Sequence, residues 1–386
     1  MDDVVARLIS WSRGEPRGPF NVELNPTDLC NLRCCFCGTL EKKKAENWDY
    51  SDEMSKERQL DLTREGITLG VRAWRISGGG EAMVHAGTVL DMMTLIKQSG
   101  GWGDLTTNGT LFKGDAIERI VDLGWNSVEF SIDGADARTH DKLRGRWRTF
   151  RKAIQAMERF QAVKQARGAA LPEIHWKSIL MAPNYRQVPD MVRLAASLGC
   201  AKFILEPIAP CTPDGPALKL SRGQTMDFQA FLEHAIAIAD DAGLRHNLAD
   251  LREVDLIAKD DLDTRLVEQE RAVDHNLLPV VCFQPWYNMV VRPNGDVSPC
   301  CVFFSRGREA AGSGLHEVWH GEYFSGLRYR ILIGELPPEC ATCHIEHIHK
   351  NRAMREEILN RLSENEREVV YERWIESARR ATGGEG

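Results

Sequence analysis

Several features are missing from this 386-residue sequence, and each absence excludes a class of protein. No stretch approaches the roughly 18 consecutive apolar residues of a membrane-spanning helix, so we expect no membrane segment. The acidic start, Met1-Asp2-Asp3, lacks the apolar core of a signal peptide, which favours a cytoplasmic protein. The net charge is −7, which argues against a nucleic-acid partner. Internal repeats and low-complexity tracts are also missing, so an ordinary globular fold is expected.

Cysteine, by contrast, is abundant and clustered. The chain has 11 cysteines, an odd number that does not suit a framework of paired disulfides. Four lie between Cys30 and Cys37, and five lie between Cys282 and Cys343. In a reducing compartment such clusters indicate metal binding or catalysis.

Short β-like segments alternate with helix-periodic segments over the first half of the chain. This alternation predicts parallel βαβ units and an α/β fold, an incomplete (β/α)6 TIM-like barrel followed by a small cysteine-rich iron–sulfur domain. The predicted strands are Asn21–Asn25, Ala73–Ser77, Asp104–Asn108, Ser127–Asp133, Ile174–Met181 and Lys202–Pro207. Helices are predicted over Met54–Leu69, Thr88–Gln98, Ala116–Leu123, Phe150–Ala166 and Val188–Leu198. The predicted domains are an N-terminal extension (1–20), the barrel (21–220), a helical connector (221–279), the cysteine-rich domain (280–349) and a C-terminal helix and tail (350–386).

Each predicted strand has one apolar face and one polar face. In the fourth strand, Val128 and Phe130 alternate with Glu129, Ser131 and Asp133. Closed barrels normally fill their interior with apolar side chains. A polar interior therefore indicates a cavity for a polar ligand, because unpaired buried polar groups cost about 1–3 kcal/mol each. The alternative is a sheet with one solvated face, which is unusual for parallel strands.

The strongest signal is C-x3-C-x2-C at Cys30, Cys34 and Cys37, directly after the first strand. Three thiolates on one tight loop can hold three irons of a [4Fe–4S] cluster and leave the fourth iron open to a small molecule. Structural zinc sites need four closed ligands, and no fourth ligand lies nearby, so zinc is the weaker alternative.

With Phe36 in the aromatic position of C-x3-C-x-aromatic-C, this motif resembles that of the radical S-adenosylmethionine (SAM) family. The resemblance implies that the open iron binds SAM and that the reduced cluster cleaves it to a 5′-deoxyadenosyl radical. Gly78, Gly79, Gly80 and Glu81 resemble the segment that binds the SAM amino group. The resemblance implies further cofactor contacts from Asn108, at the end of the third strand, and from Ser131 and Asp133, at the end of the fourth. Arg144 resembles the arginine that pairs with the SAM carboxylate.

The C-terminal cysteines resemble the twitch form of the SPASM extension found in radical SAM enzymes. The resemblance implies a second, auxiliary [4Fe–4S] cluster, held by Cys282, Cys300, Cys340 and Cys343. Two alternatives stay open. Cys301 could replace Cys300, and the nearby histidines leave a zinc ribbon possible.

Four further side chains are catalytic candidates. Lys177, His175 and Glu206 are predicted to line the polar interior, where one could act as a general base or where all could hold SAM or substrate by hydrogen bonds. Cys211 follows the sixth strand and could return a hydrogen atom to a substrate radical. The alternative for Cys211 is simple packing, because a free cysteine is usually a small buried hydrophobe.

The protein that these motifs describe is similar to the radical SAM dehydrogenases of aminoglycoside antibiotic biosynthesis. It implies oxidation of a carbinol in a small polar substrate (a sugar, an aminocyclitol or an aminoglycoside) to a ketone. The auxiliary cluster would accept the second electron, and a flavodoxin or ferredoxin would act as reductant. The alternatives are a sugar epimerase and a peptide-modifying enzyme. Only 20 residues precede the first strand, so we expect no peptide-binding domain there, although a partner protein could supply one.

Overall fold

The computed structural model describes residues 2–45, 47, 50–209, 212–213, 215–252, 282–301, 303, 313–343 and 345–381. The chain forms two compact units. The barrel unit consists of Asn25–Glu53 and Arg75–Ala258, and it contains the first cysteine cluster. The terminal unit consists of Met1–Leu24, Met54–Trp74 and Lys259–Gly386, and it contains the second cluster.

Nine strands lie in the described part of the chain, and the first six match the six predicted segments closely. They are β1 (Asn21–Leu24), β2 (Ala73–Ile76), β3 (Trp102–Thr107), β4 (Ser127–Ser131), β5 (Glu173–Leu180), β6 (Lys202–Pro207), β7 (Arg245–His246), β8 (Asn288–Val291) and β9 (Val297–Ser298).

The five predicted helices are all present, as α3, α4, α5, α7 and α8. The α-helices are α1 (Asp2–Ser12), α2 (Gly38–Ala45), α3 (Lys56–Thr68), α4 (Ala86–Gln98), α5 (Ala116–Asp122), α6 (Ala137–Arg144), α7 (Thr149–Arg167), α8 (Val188–Ser197), α9 (Gly215–Leu218), α10 (Arg222–Asp241), α11 (Gln284–Tyr287), α12 (Leu315–His320), α13 (Glu322–Leu332), α14 (Ile345–Arg361) and α15 (Glu364–Ala381). None of the helices in the described ranges is both long enough and apolar enough to cross a membrane.

In the barrel unit, β3 to β7 lie side by side in chain order, and every adjacent pair is parallel. Parallel neighbours require a crossover, and helices supply it at each step, for example α5 between β3 and β4 and α8 between β5 and β6. The register places Thr106, Glu129 and His175 in one row across β3, β4 and β5. The predicted α/β class with a parallel sheet is therefore confirmed.

The two faces of these strands differ as the sequence predicts. Along β5, buried residues alternate with partly exposed ones. Phe130, Trp176 and Phe203 are adjacent in the register and fully buried on the face that the helices cover. The opposite face carries His175 and Lys177, so charged groups line the side of the sheet away from the helices.

In the terminal unit, β1 pairs with β8 in parallel and β8 pairs with β9 antiparallel. Its helices meet around Arg328, whose guanidinium carbon lies 4.6 Å from the ring centre of Trp11 and 4.5 Å from that of Trp319. Burial lowers the pKa of Arg328 to about 9. The carbonyls of Pro285 and Trp319 accept hydrogen bonds from the same guanidinium, so this side chain joins three helices.

The structure differs from the expectations in three places. Strands β7 to β9 were not predicted, because two have only two residues and the buried β8 has no alternation. The expected connector is helical over α10, but residues 253–281 lie outside the described residues, as does the 382–386 tail. The charged C-terminal segment forms two helices, because Ser363 begins α15 through reciprocal hydrogen bonds with Glu366.

Candidate active site

The first cysteine cluster lies on the loop between β1 and α2 in the barrel unit. Cys30 is exposed, and Cys34 and Cys37 are partly exposed. The backbone N–H groups of Leu32 and Leu40 donate to the sulfurs of Cys30 and Cys37, each at 3.4 Å. Hydrogen bonds to cysteine sulfurs are one of the ways in which a protein tunes an iron–sulfur cluster.

The cysteine loop is held against the end of α6 by backbone hydrogen bonds. The N–H of Cys35 donates to the carbonyl of Leu143 at 3.0 Å, and the N–H of Arg33 donates to that of Arg144 at 3.2 Å. Gly145 ends α6 with φ at +66°, and a Cβ atom there would lie 2.1 Å from the carbonyl oxygen of Arg33. Glycine is therefore needed for both the left-handed turn and the close approach.

This contact brings Arg144 to the cysteines. Its Nη1 lies 3.9 Å from Cys34 Sγ, its Nη2 lies 2.7 Å from Asp133 Oδ2, and its guanidinium carbon lies 5.4 Å from the Phe36 ring centre. Burial opposes the charge on Arg144, but Asp133 and Cys34 outweigh it and raise its pKa. Burial also raises the pKa of Cys34, to about 12. The predicted cofactor residues Phe36, Asp133 and Arg144 thus share one site.

The predicted glycine segment packs directly on the start of the cysteine loop. Cβ atoms added at Gly79 and Gly80 would lie 2.0 Å from Asp28 Oδ1 and 2.1 Å from the Leu29 carbonyl oxygen. The N–H of Gly80 donates to the carbonyl of Thr27 at 3.1 Å. Gly80 is therefore explained by the close approach of two backbone segments, and Gly79 by the Asp28 carboxylate packed against it.

Glu81 is fully buried and joins this segment to the end of β3. Its carboxylate accepts hydrogen bonds from the Thr107 hydroxyl and the Asn108 N–H, both at 2.7 Å, and from the Met83 N–H at 3.1 Å. Burial raises the pKa of Glu81 in spite of these hydrogen bonds. The Asn108 side chain donates to Asn31 in the cysteine loop at 3.0 Å. Glu81 and Asn108 thus hold the loops of the site in place. Ser131, the remaining predicted cofactor contact, is partly exposed at the end of β4.

The catalytic candidates Lys177 and Glu206 are joined in a charged row across the polar face. Lys177 Nζ lies 2.8 Å from Glu206 and 3.6 Å from Glu129, and Arg75 pairs with Asp104 at 3.1 Å. Burial opposes the charge on Lys177, but Glu129 and Glu206 outweigh it and raise its pKa. The amine is therefore protonated, which is not the state of a general base.

A third catalytic candidate, His175, lies opposite Glu129 in the register of β4 and β5. His175 lies 3.0 Å from Glu173 near the start of β5, two residues before Lys177. Cys211 lies outside the described residues. Beside the protonated Lys177, Glu206 is a candidate base, with 31% of its side chain exposed.

In the terminal unit, Cys300 is buried and Cys301 is exposed, whereas Cys282, Cys340 and Cys343 are partly exposed. Burial raises the pKa of Cys282 to about 11, although hydrogen bonds from the Gln284 backbone and the Asn351 side chain lower it in part. None of the described cysteines forms a disulfide, so their sulfurs keep the chemistry of cluster ligands. Among the described residues, no three Cys, His, Asp or Glu side chains already converge as metal ligands. The assignment of individual cluster ligands stays a prediction.

Two anchoring residues of the site were not predicted from the sequence. Lys43 is buried, donates hydrogen bonds to the carbonyls of Asp28 and Gly79, and lies 3.8 Å from the Asp28 carboxylate. Glu53 accepts from the Asp28 N–H at 2.7 Å and from the Thr27 hydroxyl at 2.8 Å. Both occur among other charged residues after the cysteine motif, so no local pattern distinguishes them from surface residues.

Comparison with known families finds a radical SAM domain and, after it, an iron–sulfur cluster-binding domain. The profile of the radical SAM superfamily matches residues 24–194, and that of SPASM, an iron–sulfur cluster-binding domain, matches residues 282–344. The chain therefore carries both domains, and its cofactors are SAM and [4Fe–4S] clusters, including an auxiliary cluster in the SPASM domain. The thiols on the cysteine loop and the arginine beside them fit this assignment.

Two curated proteins resemble the chain over most of its length. A tungsten-containing aldehyde ferredoxin oxidoreductase cofactor-modifying protein of Pyrococcus furiosus is 23% identical over 83% of this chain and 86% of its own. The PqqA peptide cyclase of Xanthomonas euvesicatoria pv. vesicatoria is 24% identical over 85% of this chain and 82% of its own. These relatives do not support the more specific resemblance to aminocyclitol dehydrogenases.

Among solved structures, Streptococcus suis SuiB bound to the precursor peptide SuiA superposes with a TM-score of 0.60. The match has 16% sequence identity and covers 83% of this chain and 69% of SuiB. At this identity the likeness concerns the fold, and it confirms the predicted partial TIM-like barrel followed by a small iron–sulfur domain.

Proposed function

We propose that this protein is a peptide-modifying radical SAM enzyme, which joins two residues of a precursor peptide. The main support is the similarity to PqqA peptide cyclase, which runs through both the radical SAM and the SPASM domains. The peptide-bound SuiB structure has the same fold. Peptide modification was one alternative that the sequence left open, and these relatives favour it over the oxidation of a sugar.

Joining two residues of a peptide removes two hydrogen atoms from it, and each must be accounted for. When bound at the cysteine loop, the reduced cluster and SAM would supply the removal of one hydrogen atom from the substrate. A new bond between two residues of the peptide requires the loss of a second hydrogen, as a proton and an electron. The electron needs an acceptor of the iron–sulfur class, which is the cofactor of a SPASM domain.

We propose that the carboxylate of Glu206 accepts this proton. Its carboxylate is partly exposed on the polar face, whereas Glu129 in the same row is 2% exposed. Lys177 lies 2.8 Å from Glu206 and is held as an ammonium by both carboxylates, so it orients the base rather than acting as one. A positioned base of this kind contributes about 10²–10⁴-fold to a rate.

The test is an anaerobic reaction with short precursor peptides encoded beside the gene, together with SAM and dithionite. We expect one peptide to lose two hydrogen atoms in step with 5′-deoxyadenosine, and tandem mass spectrometry to locate a crosslinked pair. Glu206→Gln should lower crosslinked product by at least about tenfold while 5′-deoxyadenosine is still formed. Asp190→Asn, an exposed carboxylate of α8 paired with Arg193, is the control.

Two results would contradict the proposal. Formation of a ketone from an aminocyclitol, with the peptides unchanged, would show that the protein is a dehydrogenase. Solvent deuterium at an inverted carbon of a sugar would instead indicate an epimerase.

A further inference from the structure

We propose that a basic surface beside the cysteine loop docks an acidic electron-carrier protein of the flavodoxin or ferredoxin type. This basic patch comprises the exposed side chains of Arg138, Lys142, Arg146, Trp147, Arg148, Arg151 and Lys152. It covers the end of α6, the turn 145–148 and the start of α7. The inference rests on the radical SAM domain and is independent of the peptide substrate.

The first observation is a local reversal of charge. Residues 138–152 contain seven Arg or Lys residues and one acidic residue, a net charge of +6 in a chain whose net charge is −7. Six of the seven cations are exposed, and Arg144 is the buried one. The acidic residue, Asp141, is 6% exposed and accepts hydrogen bonds from the Arg148 and Phe150 N–H groups and the Thr149 hydroxyl. Its carboxylate therefore faces the protein and not the patch.

The second observation is Trp147, which stands between two of these arginines. It is 84% exposed, more than any other large apolar side chain in the described ranges. Single exposed apolar residues are common, but tryptophan and arginine are the residues enriched where proteins bind one another. An exposed tryptophan surrounded by cations therefore has the composition of a contact surface and not that of an ordinary solvated loop.

The third observation is the position of the patch beside the predicted cluster ligands. Arg146 Nη1 donates to the carbonyl of Asn31, within the cysteine loop, at 2.7 Å. Arg144 lies 3.9 Å from Cys34 Sγ, and Trp147 is only three residues further along the chain. Three residues span at most about 11 Å, so a protein seated on Trp147 would be close to the cluster.

These observations select the partner by its charge. A strongly positive surface on an otherwise acidic protein attracts an acidic protein, whereas nucleic acid would be repelled by most of the chain. A reductant must approach the cluster closely and leave after each electron. Redox encounters of this kind use small contact areas, below about 1,200 Å² in total, and a single exposed tryptophan with its cations is suited to that scale.

The test compares a protein reductant with a small one, on the full-length protein with its clusters. Arg138→Glu combined with Lys142→Glu reverses two charges one turn apart on α6, and Trp147→Ala removes the aromatic side chain. Arg222→Glu, an exposed cation at the start of α10, is the matched control. SAM cleavage is measured without any peptide, driven by photoreduced bacterial flavodoxin or by dithionite, and flavodoxin binding is measured separately.

With flavodoxin at low salt, we expect the α6 double variant and Trp147→Ala each to lose about tenfold in rate and in affinity. The double variant should also lose much of the salt dependence shown by the wild type. Rates with dithionite should be unchanged, and Arg222→Glu should behave as the wild type.

An equal loss with dithionite would overturn the proposal, since the patch would then support the cluster site itself. Unchanged flavodoxin kinetics and affinity would also overturn it. Weakened binding of a precursor peptide or of nucleic acid, with flavodoxin unaffected, would assign the patch to that ligand instead. Because SAM cleavage is followed without peptide, failure of the peptide-modifying function would leave this test intact.

Discussion

Asp133 and Arg144 form a buried ion pair, in which Nη2 of the arginine lies 2.7 Å from Oδ2 of the aspartate. Asp133 follows β4 and Arg144 ends α6, so the pair joins the sheet to the helix that holds the cysteine loop. The carboxylate also accepts the Ile179 N–H at 2.8 Å. One aspartate thus fixes the arginine that stands beside Cys34.

Asp133→Asn should therefore destabilise the protein strongly. Asparagine keeps the shape and can still accept the Ile179 N–H, but it leaves the charge on Arg144 buried and uncompensated. Breaking a buried pair in this way costs about 3–5 kcal/mol, which urea denaturation would measure. Asp122→Asn, which breaks the exposed pair with Arg167, should cost less than about 1 kcal/mol. Equal losses in the two variants would contradict the importance of the buried pair.

Gly80→Ala should disturb the cysteine loop. The added Cβ atom would lie 2.1 Å from the Leu29 carbonyl oxygen, so backbone has to move, at a cost of about 1–3 kcal/mol. We expect a lower melting temperature and less iron at the first cluster. Gly87→Ala in α4 is the control, since no atom would lie within 4 Å of its Cβ and alanine favours a helix. If both variants kept full iron content, the packing of Gly80 would not support the cluster loop.

Sequence patterns predicted much of this fold because they are local. The alternation along β5 and the helical period of α7 each report one face of one element, and the structure confirms both. The pairing of β8 with β1 was not predictable, because it joins segments more than 260 residues apart. The site divides in the same way. Motif residues such as Arg144 were found, whereas Lys43 is distinguished only by its tertiary contacts.

His140 should make stability depend on pH. Its Nδ1 accepts the Asp133 N–H at 3.1 Å, and burial, with Arg144 nearby, lowers its pKa to about 3. Because the folded pKa lies below the unfolded value of 6.5, the unfolded chain binds a proton first as the pH falls. Stability is therefore full above pH 6.5 and declines below it, with a slope approaching about 1.4 kcal/mol per pH unit.

The measurement is urea denaturation of wild type and His140→Gln between about pH 7.5 and 5, because the variant has lost the titrating group. The variant curve should be flatter, whatever its absolute stability. His85→Gln is the control, as His85 is exposed on the surface, with 42% of its side chain accessible. Parallel curves for wild type and His140→Gln would show that His140 does not titrate in this way.

Cys300 and Cys301 are neighbours that should differ in iron binding. Cys300 is 8% exposed, like a ligand enclosed in a domain, whereas Cys301 is exposed. Reconstituted wild-type protein should hold about eight irons, four for each cluster. Cys300→Ser should lose about four of them together with the spectroscopic signal of the auxiliary cluster, and Cys301→Ser should keep all eight. The opposite result would identify Cys301 as the ligand. If the wild-type protein held four irons and bound zinc, the C-terminal site would be a zinc ribbon and not an auxiliary cluster.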